Sequence, residues 1–214
     1  MKKNESSTLR EEILDAALKV FAQRGYAGGS IQDIVNQTTG SKPSLYYHFK
    51  SKEALYEALL AYAFDEAFAL MQKAAERSQV LEEQLVDILD GQFKFLKKNP
   101  DLLRLAFAAA FASPGELPQP VAESERGRRG FEFVHSLIQA GLASGALDNG
   151  FESVDLANGF YGALCYYLML ATVRKDIHLD RQLAHRIVRL FLAGAGPKTP
   201  ASRRQRSRGQ AAAA

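Results

Sequence analysis

The chain has 214 residues, of which 47% are hydrophobic and 24% are charged. This length and composition describe one large or two modest globular domains and exclude a disordered chain. We expect no apolar run to reach the roughly 18 uncharged residues of a membrane helix, and residues 1–12 lack the apolar stretch of a secretion signal. We therefore expect a cytoplasmic protein without a membrane span. One cysteine excludes an intrachain disulfide, and the four histidines have no metal-ligand spacing, so we expect no metal site.

Charge is distributed unevenly along the chain. Residues 1–52 carry eight Lys/Arg against five Asp/Glu, residues 53–198 carry fifteen against nineteen, and residues 199–214 carry four against none. The sequence therefore has a basic head, an acidic body and a basic tail. A basic segment attracts nucleic acid, so the head is the natural place for such a partner.

Apolar residues recur at three- and four-residue spacing through most of the sequence, which predicts an all-α fold. Ser30 suits the N-cap of a short second helix, and Pro43 suits the first turn of a third. A long fourth helix then connects the head to the body. In chain order, the predicted helices span about 8–25, 30–38, 43–49, 51–77, 81–98, 101–112, 120–144, 152–174 and 180–193.

These elements predict four segments of different character. The two short helices, with the supporting helix before them and a three-residue turn between them, have the outline of a helix-turn-helix reader of DNA. The stretch after Gly196 has no apolar face, which is typical of a disordered tail. The predicted segments are a flexible N-terminus at 1–7, a helix-turn-helix domain at 8–52, a ligand-binding and dimerisation body at 53–195, and a disordered basic tail at 196–214.

The third helix and its approach carry hydrogen-bonding side chains and no acid, and Lys50 and Lys52 follow immediately. Such a face suits a polyanion, because phosphate contacts come from cationic, hydroxyl and amide groups. A solvated helical hairpin is the alternative interpretation of the same pattern. The side chains on this face are Thr39, Ser41, Lys42, Ser44, Tyr47 and His48.

The segment IQDIVNQTTGSKPSLYYHFKSKEAL at 31–55, with AALKVFAQRGYAGGS at 16–30 before it, resembles the DNA-binding head of the TetR family of bacterial transcriptional regulators. The resemblance covers about residues 8–56, and YYHFKSKEAL is its most specific part. It implies a homodimeric, Ω-shaped, all-α protein whose fourth helix links the head to a ligand-binding and dimerising body. We therefore predict a repressor that binds a pseudo-palindromic operator as a dimer and leaves it when a small-molecule effector binds.

The resemblance also implies roles for individual residues in the head. Ser30, Tyr47 and Lys52 would contact backbone phosphate. The major groove would be faced by Thr39, Ser41, Lys42, Ser44 and His48, with Tyr46 as a further contact. The turn departs from the family's usual pattern, because many members have glycine where Thr39 stands and a small apolar residue where Gly40 stands. The sequence leaves the backbone of this turn open.

The body is rich in aromatic residues, which either fill its core or line an effector cavity. The residues that we single out for such a cavity are Phe64, Phe68, Phe93, Phe107, Phe111, Phe133, Tyr161 and Cys165. The flanks of Cys165 are apolar, so we expect an inert, buried thiol. The acidic character of the body favours an apolar or cationic aromatic effector, unless Arg104 or Arg174 faces inward and reverses that preference.

The last two helices are the predicted dimer interface. Small residues in the first of them allow close helix approach, and an apolar stripe in the second could be covered by a two-fold partner. The alternative is that this stripe packs inside its own subunit. The predicted interface consists of Gly159, Gly162, Ala163, Leu183, Ile187, Leu190 and Phe191.

Two other functional classes are compatible with parts of the pattern. One is a DNA-binding dimer without an effector, and the other is a small all-α ligand carrier or enzyme. The body has no convergent acid, base or nucleophile, so we predict neither an enzyme nor a bound cofactor. The predicted partners are operator DNA, a second copy of the chain and a small molecule of unknown identity.

Overall fold

The computed structural model describes residues 5–113, 115–118, 125–174 and 176–195. Within these ranges the chain forms helices and the turns that join them, and no strand is present, as the sequence predicts. The helices are α1 (Glu5–Gly28), α2 (Ile31–Val35), α3 (Lys42–His48), α4 (Lys52–Ala75), α5 (Leu81–Lys98), α6 (Pro100–Ala110), α7 (Arg126–Ala143), α8 (Ser153–Val173) and α9 (Arg181–Ala195).

Several helix ends differ from the predicted ones. α1 begins at Glu5 rather than at Thr8, and α2 stops at Val35 rather than at Thr38. α2 ends early because the backbone N–H groups of Gln37 and Thr38 donate hydrogen bonds to the carbonyls of Ile34 and Val35, three residues earlier, at 3.0 Å. α7 begins at Arg126. The predicted disordered tail, and the first residues of the predicted 120–144 helix, lie outside the described residues.

The head is a small bundle of α1, α2 and α3 closed by the first turns of α4. Ile34 and Leu45 are completely buried at its centre, and Phe21 meets the ring of Tyr56 edge-on with centroids 5.1 Å apart. Gly25 has a φ of +70°, which a residue with a side chain rarely adopts, and this glycine kinks the end of α1 toward α2. The head therefore holds α3 by burying one face of it.

The body packs around α4 and connects to the head in two ways. α4 lies against α5, α6 and α7, and α8 contacts α5, α6, α7 and α9. α4 is continuous between head and body, and α6 packs directly against α1 of the head. A change in the body can therefore reach the head along α4 and through α6.

α8 corrects the expectation that no long uncharged run exists. Residues 156–173 have no charged side chain, and the helix is long and apolar enough to cross a membrane by length and composition, with a mean hydropathy of 1.3. Core helices of soluble proteins pass the same test, and here α8 packs against four other helices. Only 28% of its most apolar window is buried, so α8 presents an apolar surface that the single chain leaves uncovered.

A cluster of charges joins α9 to α5. Asp87 and Asp90 are both buried, and the guanidinium of Arg181 lies 2.5 Å from an oxygen of Asp87 and 3.5 Å from one of Asp90. The Nζ of Lys94 is 2.6 Å from the same Asp90 oxygen. Asp87 thus depends on Arg181, whereas Asp90 has a second cation.

We predict that Arg181→Met destabilises the protein by roughly 2–3 kcal/mol, because Asp87 is left buried without its counter-ion. Breaking a fully buried pair costs about 3–5 kcal/mol, and the half-exposed Arg181 side chain lowers this value. Urea unfolding followed by circular dichroism measures the loss. Arg186→Met on the exposed side of the same helix is the matched control, and equal stability of the two variants would contradict this account.

Candidate nucleic-acid interface and effector cavity

α3 buries its apolar side and displays its polar side. Leu45 and Phe49 anchor it in the head, while Lys42, Tyr46 and Tyr47 are exposed, Tyr47 with 83% of its surface accessible. The helix contains no acidic residue. An exposed tyrosine of this kind gains nothing from the protein's own core, so the displayed face is available to a partner.

Local hydrogen bonds set the start of α3. Ser41 is its N-cap, and the Ser41 Oγ accepts a hydrogen bond from the backbone N–H of Ser44 at 3.4 Å. The two serine hydroxyls also share a hydrogen bond of 2.8 Å. The ring of His48 meets that of Tyr47 edge-on, with centroids 5.3 Å apart. Of the predicted groove-facing residues, Ser41, Ser44 and His48 therefore have side chains that are oriented by contacts within the helix.

The turn between α2 and α3 is held by a contact that the sequence did not indicate. Glu12 of α1 accepts hydrogen bonds from the Thr39 backbone N–H at 3.1 Å and from the Thr39 hydroxyl at 2.7 Å. These bonds, the side-chain one first, lower the pKa of Glu12. Thr39 thus donates its hydroxyl proton to α1, and only its lone pairs are available to another partner.

Gly40 explains why the glycine of this turn stands one position late. A Cβ at Gly40 would lie 2.8 Å from the Cδ1 of Leu9, closer than carbon atoms approach in proteins. Leu9 of α1 therefore takes the place of the missing apolar anchor in the turn. The turn departs from the usual sequence pattern, but Glu12 and Leu9 of α1 hold it in place.

The start of α4 carries the predicted phosphate contact Lys52. The Ser51 hydroxyl caps this helix, and the Nζ of Lys52 lies 4.4 Å from the centroid of the Tyr26 ring. Tyr26 in turn donates its hydroxyl proton to Glu53 at 2.8 Å. Hydrogen bonds from Ser51, the backbone and Tyr26 lower the pKa of Glu53. This arrangement restrains the Lys52 side chain and reduces its freedom before any partner arrives.

Ser30 is engaged in a capping box at the start of α2. Its hydroxyl donates to Asp33 at 2.7 Å and accepts from the Asp33 backbone N–H at 3.1 Å, and Arg24 pairs with the same carboxylate at 2.9 Å. A backbone phosphate only accepts hydrogen bonds, so the Ser30 hydroxyl would have to release Asp33 before it could donate to a phosphate oxygen. Of the predicted phosphate contacts, Tyr47 is the one whose polar group has no hydrogen bond within the described chain.

The body encloses a cavity of about 410 Å³ between α4, α5, α6, α7 and α8. This volume lies within the range of about 300–1,000 Å³ that small-molecule sites occupy. The wall is mostly apolar and aromatic. It consists of Leu60, Ala63, Phe64, Ala67, Phe68, Met71, Gln92, Leu103, Ala106, Phe107, Ala109, Ala110, Arg126, Gly127, Gly130, Tyr161, Leu164, Cys165 and Leu168.

Five of the eight residues singled out from the sequence lie in this wall, namely Phe64, Phe68, Phe107, Tyr161 and Cys165. The other three do not. Phe93 is buried in the core, Phe111 is exposed after the end of α6, and Phe133 packs edge-on against the ring of Phe68 at 6.0 Å. The aromatic content of the sequence therefore indicated helices that line the cavity, but it did not distinguish aromatic residues of the core from those of the cavity wall.

Polar groups are few in the wall. Gln92 is buried and its Nε2 donates to the carbonyl of Ala67 at 2.8 Å, so its amide is held in place. Burial raises the pKa of Cys165 to about 11, and burial followed by the neighbouring thiol raises the pKa of Tyr161. Both groups are protonated at neutral pH. The sequence did not identify Gln92 and Arg126 as wall residues, because the periodicity of apolar residues does not mark polar side chains.

Arg104 and Arg174 are absent from this wall. Arg104 pairs with Asp101 at 3.0 Å, and Arg174 pairs with Asp176 at 2.5 Å on the surface. No carboxylate is among the residues that line the described cavity, so the net charge of the body gives no support for a cationic effector.

The predicted dimer interface divides into two groups. Leu183 and Ile187 are buried in their own subunit, which is the alternative that the sequence left open for this stripe. Leu190 is 77% exposed, and Gly159 and Gly162 face open space on α8. Ala163 is partly buried, and Phe191 packs edge-on against Phe160 at 5.6 Å. The uncovered apolar surface of these two helices therefore centres on α8 and Leu190.

The head and the fold match known proteins. Residues 13–59 match the model of "Bacterial regulatory proteins, tetR family". A stretch of 57 residues is 39% identical to the biofilm operon icaADBC HTH-type negative transcriptional regulator IcaR of Staphylococcus aureus strain Newman, and spans 27% of this chain and 31% of that relative. The chain thus matches less than a third of the length of this curated relative.

Solved structures extend the likeness to the body. The transcriptional regulator FadR from Bacillus subtilis, in complex with stearoyl-CoA, has a TM-score of 0.74 and 19% identity, over 86% of this chain and 98% of that one. A TetR family transcriptional regulator from Chloroflexus aurantiacus has a TM-score of 0.74 and 19% identity, over 91% and 96%. Such identities show a common fold. Together with the match of the head, they show that the chain is similar to the TetR family of bacterial regulatory proteins in the sequence of its head and in its fold.

Proposed function

We propose that this protein is a transcriptional repressor that binds operator DNA as a homodimer and is released when a small molecule occupies the body cavity. The observation that carries the proposal is the displayed face of α3, where Lys42, Tyr46 and Tyr47 project from a helix whose other side is buried. The likeness of the head to IcaR, a negative regulator, supports repression.

Binding to DNA divides into positioning and reading. Tyr47 and Lys52, at the end of α3 and the start of α4, are suited to phosphate, and contacts of this kind fix the orientation of the head on the duplex. Lys42 and Ser44, in the first turns of α3, are suited to base edges in the major groove. Two heads must lie about 34–36 Å apart to use successive major grooves, which requires a dimer.

The dimer is supported by the uncovered surface of α8 and α9. An apolar helix with 28% of its window buried, beside a leucine that is 77% exposed, is costly to leave in water. The same surface on a second copy can cover it about a two-fold axis. Gly159 and Gly162 allow the two backbones to approach closely.

The cavity supports a ligand-responsive repressor over one without an effector. It is lined by α4, which carries the head, and by α6, which packs against α1. A ligand shifts a two-state equilibrium only by its difference in affinity for the two states. A ligand that favours a body in which α4 and α6 are displaced would therefore move the heads and weaken DNA binding.

We predict that duplex DNA binding falls steeply with salt, by about 0.9 log units of affinity per phosphate contact for each log unit of salt. Tyr47→Ala should weaken binding to all sequences by roughly tenfold, about 1.4 kcal/mol, whereas Lys42→Gln should also change the preferred bases. Selection from random duplexes followed by titration at several salt concentrations measures both effects. Lys97→Gln, which removes the same charge from the exposed side of α5, is the control. Unchanged operator affinity in Tyr47→Ala would contradict this assignment.

We predict that Gly162→Glu combined with Leu190→Glu gives a folded monomer in sedimentation velocity. Both positions are exposed in the single chain, so the charges enter solvent rather than the core, and glutamate also favours helix over glycine. Gln182→Glu, another exposed position on α9, should remain dimeric. A dimer that survives the double change would show that the copies meet elsewhere.

A further inference from the structure

The cavity wall changes character from its interior to its mouth. The buried wall residues include Met71, Leu164 and Leu168, and this part offers a ligand apolar contacts with the amide of Gln92 beside them. The exposed wall residues are Ala110, Arg126 and Gly127, where the end of α6 faces the start of α7. A ligand that fills the space would therefore have an apolar part inside and a polar part at this mouth.

Arg126 is the only charged residue in the described wall. It lies in the first turn of α7, and the N-terminal end of a helix carries partial positive charge. Gly127 has no side chain to cover the mouth, and even a Cβ there would only touch the ring of Phe64 at 3.7 Å. The described wall thus has one cationic side chain and no anionic one, and the cation lies at the exposed end of the cavity.

Acidic residues lie near Arg126 but outside the described wall. Asp65 of α4 contacts Arg126, with 3.6 Å between the Arg126 Nε and the Asp65 Oδ1. The same Oδ1 accepts a hydrogen bond from Arg129, whose guanidinium also lies 5.0 Å from the centroid of the Phe68 ring. Glu132 lies 3.4 Å from Arg128, and neither residue lines the cavity.

From this placement we infer that the effector is an amphipathic anion, an apolar chain or ring system that ends in a carboxylate, with the carboxylate paired to Arg126 and the apolar part inside the cavity. A guanidinium presents its donors in a planar fork that matches a carboxylate. A cation would find no carboxylate in the described wall to pair with, and a neutral apolar compound would cover Arg126 without replacing the water that it loses. The assignment of this ligand as a regulator rests on the proposed function.

The same contact gives the ligand a path to the head. Asp65 belongs to α4, and its link to α7 runs through Arg126 and Arg129. A carboxylate on Arg126 competes with Asp65 for that guanidinium, which loosens one of the two described ion pairs between α7 and α4. Since α4 carries the head, the charged end of the ligand weakens DNA binding. This effect adds to that of the apolar part, which fills the cavity.

The test compares three compounds that share one chain and differ in charge: decanoate and decylamine below their micellar concentrations, and 1-decanol below its solubility limit. Titration calorimetry with the full chain measures binding, and fluorescence anisotropy of a labelled operator duplex measures release. We expect decanoate to bind at least tenfold more tightly than decanol, and decylamine to bind most weakly. Equal affinities for the acid and the alcohol, or tighter binding of the amine, would overturn the inference.

Variants on α7 locate the charge. Arg126→Gln should lower the affinity for decanoate to that for decanol, and Arg126→Lys should restore part of the difference. Arg128→Gln removes the same charge two residues away, outside the wall, and should bind decanoate as the parent does. Ala106→Phe, which fills the cavity, should abolish binding of both compounds, and circular dichroism reports whether each variant is folded. An acid preference that survives in folded Arg126→Gln would reject the role of Arg126.

The experiments can reject the ligand class and the regulatory function independently of each other. If none of the three compounds binds while the operator is still bound specifically, the ligand class is wrong and the DNA-binding function stands. If decanoate binds through Arg126 but no duplex is bound, the ligand class stands and the regulatory function is wrong. Decanoate that binds through Arg126 without releasing the operator would refute the proposed competition with Asp65.

Discussion

The rest of the structure depends on the double anchoring of α4. Its first turns are part of the head, where Leu55 and Tyr56 are buried beside α1, and its later turns form part of the cavity wall in the body. The helix has 24 residues, and at about 1.5 Å per residue it spans about 36 Å. Hydrogen bonds inside a helix make it stiff along its axis, so a displacement at one end is carried to the other. Because of this one element, a cavity in the body has a mechanical connection to the surface that we propose to contact DNA.

Local chemistry was readable from the sequence, and contacts between distant segments were not. Ser30 caps α2 as predicted, because a capping serine lies within three residues of its partner, and Ser41 and Ser51 cap the next two helices in the same way. The bonds from Thr39 to Glu12 join residues 27 positions apart, so the sequence left the turn open although α1 fixes it. The same limit explains the stripe on α9. Periodicity identifies an apolar face but not what covers it, and Leu183 and Ile187 turned out to be covered by their own subunit.

The cavity illustrates a second limit of prediction from the sequence: the net charge of a segment does not give the charge at one site. The acidic excess of residues 53–198 suggested a site that prefers cations, yet the described wall holds one charge and that charge is Arg126. Net charge sums over a surface, most of which is turned away from any cavity, whereas a ligand responds to the few groups within several ångströms of it. Which aromatic residues border an empty space is equally a result of packing, as the buried Phe93 and the wall residue Phe107 show.

The position of Cys165 has a consequence for oxidative chemistry. This residue is the only cysteine of the chain, and it lies in the cavity wall with a pKa of about 11. At pH 7 such a pKa leaves roughly one thiol in ten thousand as the thiolate that reacts with peroxide. The burial that makes the cavity wall apolar thus also makes the thiol unreactive, so peroxide would leave the lining of the proposed effector site unmodified at Cys165.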